Sequence, residues 1–452
     1  MPPLFDDRQF YSSLFALAIP IMLQNLVTTL VNMLAVIMIG RLGTVEIAAV
    51  GLGNQIFFLF NMLLFGICSG AAIFTAQFWG KGDIAGIRKN LGFSMTLNLI
   101  AAALFTLVSV LIPEKIIGVY SADEAVIRAG AVYLKTVSPM FIPYAISTVF
   151  TLTLRSVEKV RLAIVATSIA LSLNALLNYL FIFGAGPIPP MGVKGAALAT
   201  VVARLVEALI LVTASYAFRY APAGRLKELF SFSSFYARQF FRVTFPVIVN
   251  EALWSLGITV QNVIFARTNT DAIAAFNITG TFSQLTWVLF IGLGNGVAVL
   301  IGKKIGERKE EAARDYASRI VRFAPLLATG AALVLFPISR LLHLVFNVNP
   351  QTLRHTSMML IILCCTYPFK AFNMSMIVGI CRAGGDTVFS MIYDIVVLWL
   401  VAVPLAALAS FVLGAPVWVI YICVVMEDPI KAILGFWRFR SGKWLHNVTD
   451  GL

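Results

Sequence analysis

Charge is what this chain has least of. Only 12% of its 452 residues are Asp, Glu, Lys or Arg, about half the share of a soluble domain, and that scarcity excludes a water-facing globular surface. Histidine is nearly missing: His343, His355 and His446 stand far apart and offer no metal cluster. The five cysteines, Cys68, Cys364, Cys365, Cys381 and Cys423, sit in or at the ends of apolar runs without metal-ligand spacing. Adjacent Cys364 and Cys365 are poorly placed for a disulfide, so all five read as small packing residues. No Walker loop, HExxH, dinucleotide fingerprint or nucleophile–base constellation occurs, so the chain does not read as an enzyme and no organic cofactor is expected. Without a nucleotide-hydrolysing motif, any pumping must draw on a gradient of ions or of the substrate itself. A cleavable signal peptide is not expected either, because MPPLFDDRQF carries acids and the apolar run behind it is too long.

Apolar residues fill the space that charge leaves. They make up 60% of the chain and form continuous runs of about 20–27 residues, the length of membrane-crossing helices and not of alternating barrel strands. Twelve spans are expected, at 14–39, 48–77, 91–112, 130–154, 162–184, 192–217, 242–265, 275–301, 320–342, 356–380, 388–411 and 415–436. The net charge of +13 would suggest nucleic acid if it were spread evenly. Instead Lys and Arg gather at both termini and in the loops after even-numbered spans, while Lys135, Arg204 and Lys370 fall within spans. By the positive-inside rule both termini are cytoplasmic, so the basic excess reflects topology and contact with anionic lipid, with no nucleic-acid partner.

A shift of 226 residues lays the chain on itself. Pro20 falls on Pro246, Arg41 on Arg267, Gly66 on Gly292, Gly70 on Gly296, Gly80 on Gly306 and Arg88 on Arg314, without a gap. Further on, Val119-Tyr120 meets Val345-Phe346, and Arg155 meets Arg382 after a one-residue slip. The expected fold is therefore an all-α integral membrane protein of twelve helices in two six-helix lobes, 1–225 and 226–452, joined by the polar linker around Arg219–Arg242. Six is even, so the halves are parallel repeats about an axis along the membrane normal, and the cleft between such halves is where a transporter takes its substrate.

The polar residues inside the spans are the candidates for function. Phe245–Arg267 carries Glu251 about ten residues from its basic end, roughly 15 Å deep in a ~30 Å hydrocarbon core. A carboxylate there costs on the order of 2.5–3.5 kcal/mol and needs a wet or protein-lined setting. Ser255 and Asn262 share its helix face. In the first half Asn25, Thr28, Thr29 and Asn32 make a neutral stripe, with Asn25 the repeat counterpart of Glu251, and Asn174 and Asn178 pair at i, i+4. These, with Asn373, are expected to line a substrate cavity, the alternative being interhelical hydrogen bonding. Lys370 and Asp394 each lie 12 residues from the turn at Arg382, hence at the depth of Glu251. Glu251, Asp394 and Lys370 are the expected cation-coupling group, with Na+ at Glu251 the one metal considered and a static ion-pair network the bland reading. Arg204 with Glu207, and Glu427 and Asp428 with Lys431, are expected to pair along their own helices.

The runs IGRLGTVEIAAVGLGNQIF and CSGAAIFTAQFWGKGD, the RAGGDT turn and the closing FRSGKW resemble the multidrug and toxic compound extrusion (MATE) transporters over essentially the whole chain. The resemblance implies two lobes around a central cavity and export of amphiphilic, often cationic compounds in exchange for Na+ or H+. One bacterial branch of that family carries aspartates in the first and fifth helices, where this chain has Asn32 and Asn178. Another couples through a seventh-helix glutamate and a tenth-helix aspartate. Here Glu251 lies about one turn earlier on a similar face, and Ala371 stands near the aspartate position, leaving Asp394 on the next helix to substitute.

The resulting expectation is a monomeric inner-membrane antiporter that binds small molecules amid lipid. A flippase for lipid-linked precursors would need a strongly cationic cavity, for which Lys135, Arg204 and Lys370 are too dispersed. A non-transporting receptor sits poorly with the duplication.

Overall fold

The computed structural model describes residues 6–184, 186–340 and 348–452; the first five residues, His343, Val345 and Phe346 lie outside that set. Among the described residues eleven helices are long and apolar enough to cross a membrane: α1 (Arg8–Gly40), α2 (Thr44–Lys81), α3 (Ile84–Leu111), α4 (Glu124–Ser156), α5 (Val160–Phe183), α6 (Gly192–Ala217), α7 (Ser234–Thr268), α8 (Thr270–Gly306), α9 (Glu310–Pro337), α10 (Pro350–Arg382) and α11 (Thr387–Val412). The twelfth, α12, comes in two segments, Val417–Val425 and Glu427–Ser441. The segments meet at Met426, next to Glu427, Asp428 and Lys431, so ionisable residues occupy what would be the middle of a long apolar run. An isolated β-bridge joins Gly385 and Leu445. The architecture is all-helical.

Two compact units divide the chain. Unit 1 is Met1–Met22 with Phe245–Gly451, and unit 2 is Leu23–Thr244 with Leu452. The joints between the units fall inside α1 and α7, each within three residues of a helix-interior proline, Pro20 or Pro246. The glycines of the repeat explain this exchange of helix starts. In unit 1, Gly296 of α8 lies against Ala18, and Gly292 against Met22. In unit 2, Gly70 of α2 lies under Thr244 so closely that a Cβ would overlap its side chain. Gly70 and Gly296 are 226 apart, and so are Ala18 and Thr244, so one close helix approach is used twice. In unit 2 aromatic packing reinforces it: Phe240 stacks on Phe74 with centroids 5.7 Å apart, and Tyr236 donates from its hydroxyl to Asn90 Oδ1 at 2.7 Å.

The RAGGDT turn and the FRSGKW segment, distant in sequence, fold onto each other in unit 1. Trp444 is fully buried, its carbonyl sits where a Cβ on Gly384 would be, and His446 N donates to Gly384 O at 2.8 Å. Arg438 clamps Asp386 with Nε on Oδ2 at 2.7 Å and Nη2 on Oδ1 at 3.0 Å, a bidentate geometry that fixes direction as well as charge. Gly384→Val should therefore lift the C-terminal segment off the turn and cost about 1–3 kcal/mol, the usual range for overpacking. Thermal unfolding of the purified protein checks this, with Gly330→Val, at a position with no atom near its Cβ, as the silent control.

Candidate functional site

The deep polar residues of unit 1 assemble into one network. The last turns of α10, Ser375–Arg382, are π-helical, a widening often found at functional sites. Arg382 stands at the end of this stretch, and its Nη2 donates to Glu251 Oε1 at 2.6 Å and to Asn250 Oδ1 at 3.0 Å. Asn250 is a two-way connector: its Nδ2 donates to Asp394 Oδ2 at 2.7 Å. Lys431 of α12 then donates to Asp394 Oδ1 at 2.7 Å and to Glu427 Oε2 at 2.9 Å. Beside this chain Asp428 meets Lys370 at 3.9 Å, a charge contact too long for a hydrogen bond, and Asp428 Oδ2 is buried without a hydrogen-bond partner. Asn373 Nδ2 donates to the Asp428 carbonyl at 2.9 Å, and Tyr393 donates to Asn373 Oδ1 at 3.3 Å.

Four carboxylates, Glu251, Asp394, Glu427 and Asp428, thus face three cations, Arg382, Lys370 and Lys431. Three carboxylates have a cation within 3 Å; Asp428 is left with the distant Lys370. A buried carboxylate with only a distant cation and an unbonded oxygen is costly as an anion. Such a site favours uptake of a proton or a small cation.

Unit 2 carries a related but differently charged arrangement. Arg155 Nη2 donates to Gln24 Oε1 at 2.7 Å, Gln24 Nε2 to Thr167 Oγ1 at 2.7 Å, and Thr167 to Glu207 Oε1 at 2.7 Å. Glu207 Oε2 is paired with Arg204 at 2.8 Å, and the Arg204 guanidinium lies 4.9 Å over the Tyr144 ring. Here there are two cations and one carboxylate, and the carboxylate pairs with Arg204 alone.

The residues singled out from sequence are distributed as follows. Glu251, Asp394 and Lys370 all belong to the unit 1 network, yet none pairs with another. Counting residues estimates a height along a helix and says nothing of direction around it. Arg382, Asn250 and Lys431, which the sequence reading did not place in the site, supply the partners. Asn373, expected as a cavity contact, is buried and bound to Asp428. Glu427 pairs with Lys431 along α12 as expected, but the same lysine also crosses to α11. Asn25 is half-buried, Asn32 exposed and Ser255 buried. Thr28 Oγ1 and Asn262 Nδ2 return to the carbonyls of Gln24 and Ile258 on their own helices. Asn178 donates to Asn174 Oδ1 at 3.0 Å, and its own Oδ1 is buried without a hydrogen-bond partner. Trp254 and Trp287 stack with centroids 6.0 Å apart, a half-buried aromatic face in unit 1. No group of three or more His, Cys, Asp or Glu with metal-binding geometry occurs among the described residues.

The missed partners had a sequence signal. The 226-residue shift that pairs Asn25 with Glu251 also pairs Gln24 with Asn250, and the same slip pairs Arg155 with Arg382. The amide–arginine contact is thus made once in each unit.

Comparison with known proteins gives the same duplication. The family described as MatE matches twice, over residues 20–180 and 246–408, with starts 226 apart. The chain is 25% identical over 447 residues to a probable multidrug resistance protein NorM of Thermotoga maritima, covering 98% of this chain and 95% of that one. It is 23% identical over 445 residues to the uncharacterized transporter YisQ of Bacillus subtilis, covering 97% and 96%. Among solved structures it matches a MATE protein in the straight conformation at a TM-score of 0.86, 20% identity and 95% and 96% coverage. It also matches a MOP superfamily transporter from Pyrococcus furiosus, described as having reversed polarity in its binding pocket, at 0.84, 21% and 95% of each chain.

If Arg382 and Glu251 act as a pair, Arg382→Gln strands a buried carboxylate and should cost about 3 kcal/mol. The double variant with Glu251→Gln should recover more than half of that loss in thermal unfolding of the purified protein. Losses that simply add would mean the two residues are energetically independent.

Proposed function

The chain belongs to the MatE family, and on that premise we propose that it is a secondary active antiporter exporting small amphiphilic compounds in exchange for Na+ or H+. The observation that carries this reading is the unit 1 network, in which a buried polar chain across four helices holds one more carboxylate than it has cations. Intramembrane ionisable groups of this kind mark ion pathways in transporters. The names of the relatives, multidrug resistance proteins among them, support multidrug efflux as the physiological role. No organic cofactor is proposed; the coupling ion is the one small partner that the network needs.

In the proposed cycle a cation or proton at Asp428 neutralises the excess charge. Its release leaves the network anionic, and the rearrangement runs through Lys431, Asp394 and Asn250 to Arg382 and Glu251. A ligand shifts a two-state equilibrium only through such differential binding, and the effect is reciprocal, so ion and substrate must each alter the other's affinity. Glu251 keeps its place as a coupling residue, held by Arg382, while Lys370 and Asp394 tune the neighbouring carboxylates. The basic excess at the C-terminus and in the loops after even-numbered spans supports an inner-membrane orientation with both ends cytoplasmic, and the protein is proposed to act as a monomer. The flippase alternative would require several unneutralised cations. In unit 2 Arg204 is already paired with Glu207, which leaves Arg155.

Two variants test the proposal in proteoliposomes with a cationic dye. Asp428→Asn and Glu251→Gln should each slow ion-gradient-driven dye transport by about tenfold or more, equivalent to about 1.4 kcal/mol of lost coupling, while dye binding persists. Unchanged gradient-driven transport in both would remove the network from the coupling role.

A further inference from the structure

Unit 2 contains a guanidinium that its repeat partner shows to be incomplete. Arg155 and Arg382 are counterparts, and each donates from Nη2 to a buried amide oxygen, Gln24 Oε1 at 2.7 Å and Asn250 Oδ1 at 3.0 Å. Those amides are counterparts as well. The next residue differs: Glu251 closes the site in unit 1 with a carboxylate 2.6 Å from Arg382, whereas unit 2 has Asn25. Among the described residues no carboxylate forms an ion pair with Arg155, whereas Glu251 pairs with Arg382; the buried Nε does not set the two apart, since it has the same status in both arginines. Glu158, three residues on, accepts from Trp79 Nε1 at 3.1 Å. Glu207, the acid of this network, is taken by Arg204 and Thr167. The last turn of α4, where Arg155 sits, offers only the partial negative charge of a helix C-terminus, and the same holds for Arg382 at the end of α10. The dipole therefore does not account for the difference between them.

We propose that Arg155 is a binding site for the acidic group of an amphiphilic substrate, with a carboxylate taking the place that Glu251 occupies beside Arg382. A guanidinium presents a rigid fork of donors that matches a carboxylate. A buried guanidinium without a counter-charge is costly, so an incoming acid gains a charge partner through a charge-assisted hydrogen bond. Gln24 orients the fork, and its link through Thr167 to Glu207 keeps the other amide donor occupied, so the open face is that of Arg155. Asn25 is half-buried and offers an amide beside the bound acid. The proposal rests on the export reading for its substrate class. The binding it predicts is measured without transport, so the two fail separately.

The experiment uses the full chain in phosphatidylcholine nanodiscs with two fluorescent probes, 1-pyrenebutyrate and the uncharged 1-pyrenebutyramide. The wild type should bind the acid about tenfold more tightly than the amide, the value of one well-made charge-assisted contact. Arg155→Gln should reduce that ratio to about twofold or less. Asn25→Glu installs the carboxylate that the other half of the chain already carries, so it guards against a folding artefact; it should abolish the preference in the same way. A wild type without acid preference overturns the proposal, as does a preference that survives both variants. Repeating the titration with phosphatidylglycerol in the disc separates the sources of acid. A retained preference supports a solute site, whereas its loss assigns the site to a lipid headgroup and overturns the solute assignment.

Discussion

Everything in unit 1 turns on a buried arginine held by two neighbours on one helix. Arg382 touches Asn250 and Glu251, and those contacts decide what the surrounding residues are free to do. Neutralised by Glu251, the guanidinium tolerates its burial and points Asn250 Nδ2 toward Asp394. Asp394 in turn fixes Lys431, and Lys431 draws in Glu427. The chain of contacts therefore runs α10, α7, α11, α12 with every link at hydrogen-bond distance. Asp428 is the residue that this arrangement leaves without a close cation: Lys370 stands 3.9 Å away, and Asp428 Oδ2 is buried without a hydrogen-bond partner.

The duplication gives this asymmetry meaning. Both units build the same amide–arginine contact on the same glycine-packed frame, with Gly70 under Thr244 in one and Gly296 against Ala18 in the other. The scaffold is shared; the charge is not. Replacing the glutamate of one half by the asparagine of the other converts a neutral pair into an open cation, while extra acids on α12 make the unit 1 network anionic. On the proposed assignment one fold offers a home for a positive ion in one unit and for an acidic group in the other.

Much of this was legible in the sequence. Apolar run length gave the helices, the 226-residue shift gave the repeat, and a carboxylate deep in Phe245–Arg267 marked Glu251. Partnership was harder to read. Counting residues from the turn placed Lys370, Asp394 and Glu251 at one height, but side-chain direction depends on helix rotation. Around Arg382 that rotation is altered by a π-helical stretch that no local motif announces. The twelfth span shows the same difficulty. Its Glu427 and Lys431 pair along the helix as spacing predicts, while the decisive contact of Lys431 is to Asp394, 37 residues away. Short-range rules recover contacts within one helix; the network lies between helices.

The central claim is that Asp428 is the group whose charge must be met by an exchanged ion. The direct measurement adds a cationic substrate analogue, tetraphenylphosphonium, to the purified protein and counts the ions displaced, as protons with an indicator dye or as radiolabelled Na+. Linkage requires displacement wherever ion and substrate compete for one conformational equilibrium. The account predicts close to one ion released per wild-type molecule and none from Asp428→Asn. Equal release from both proteins would contradict it.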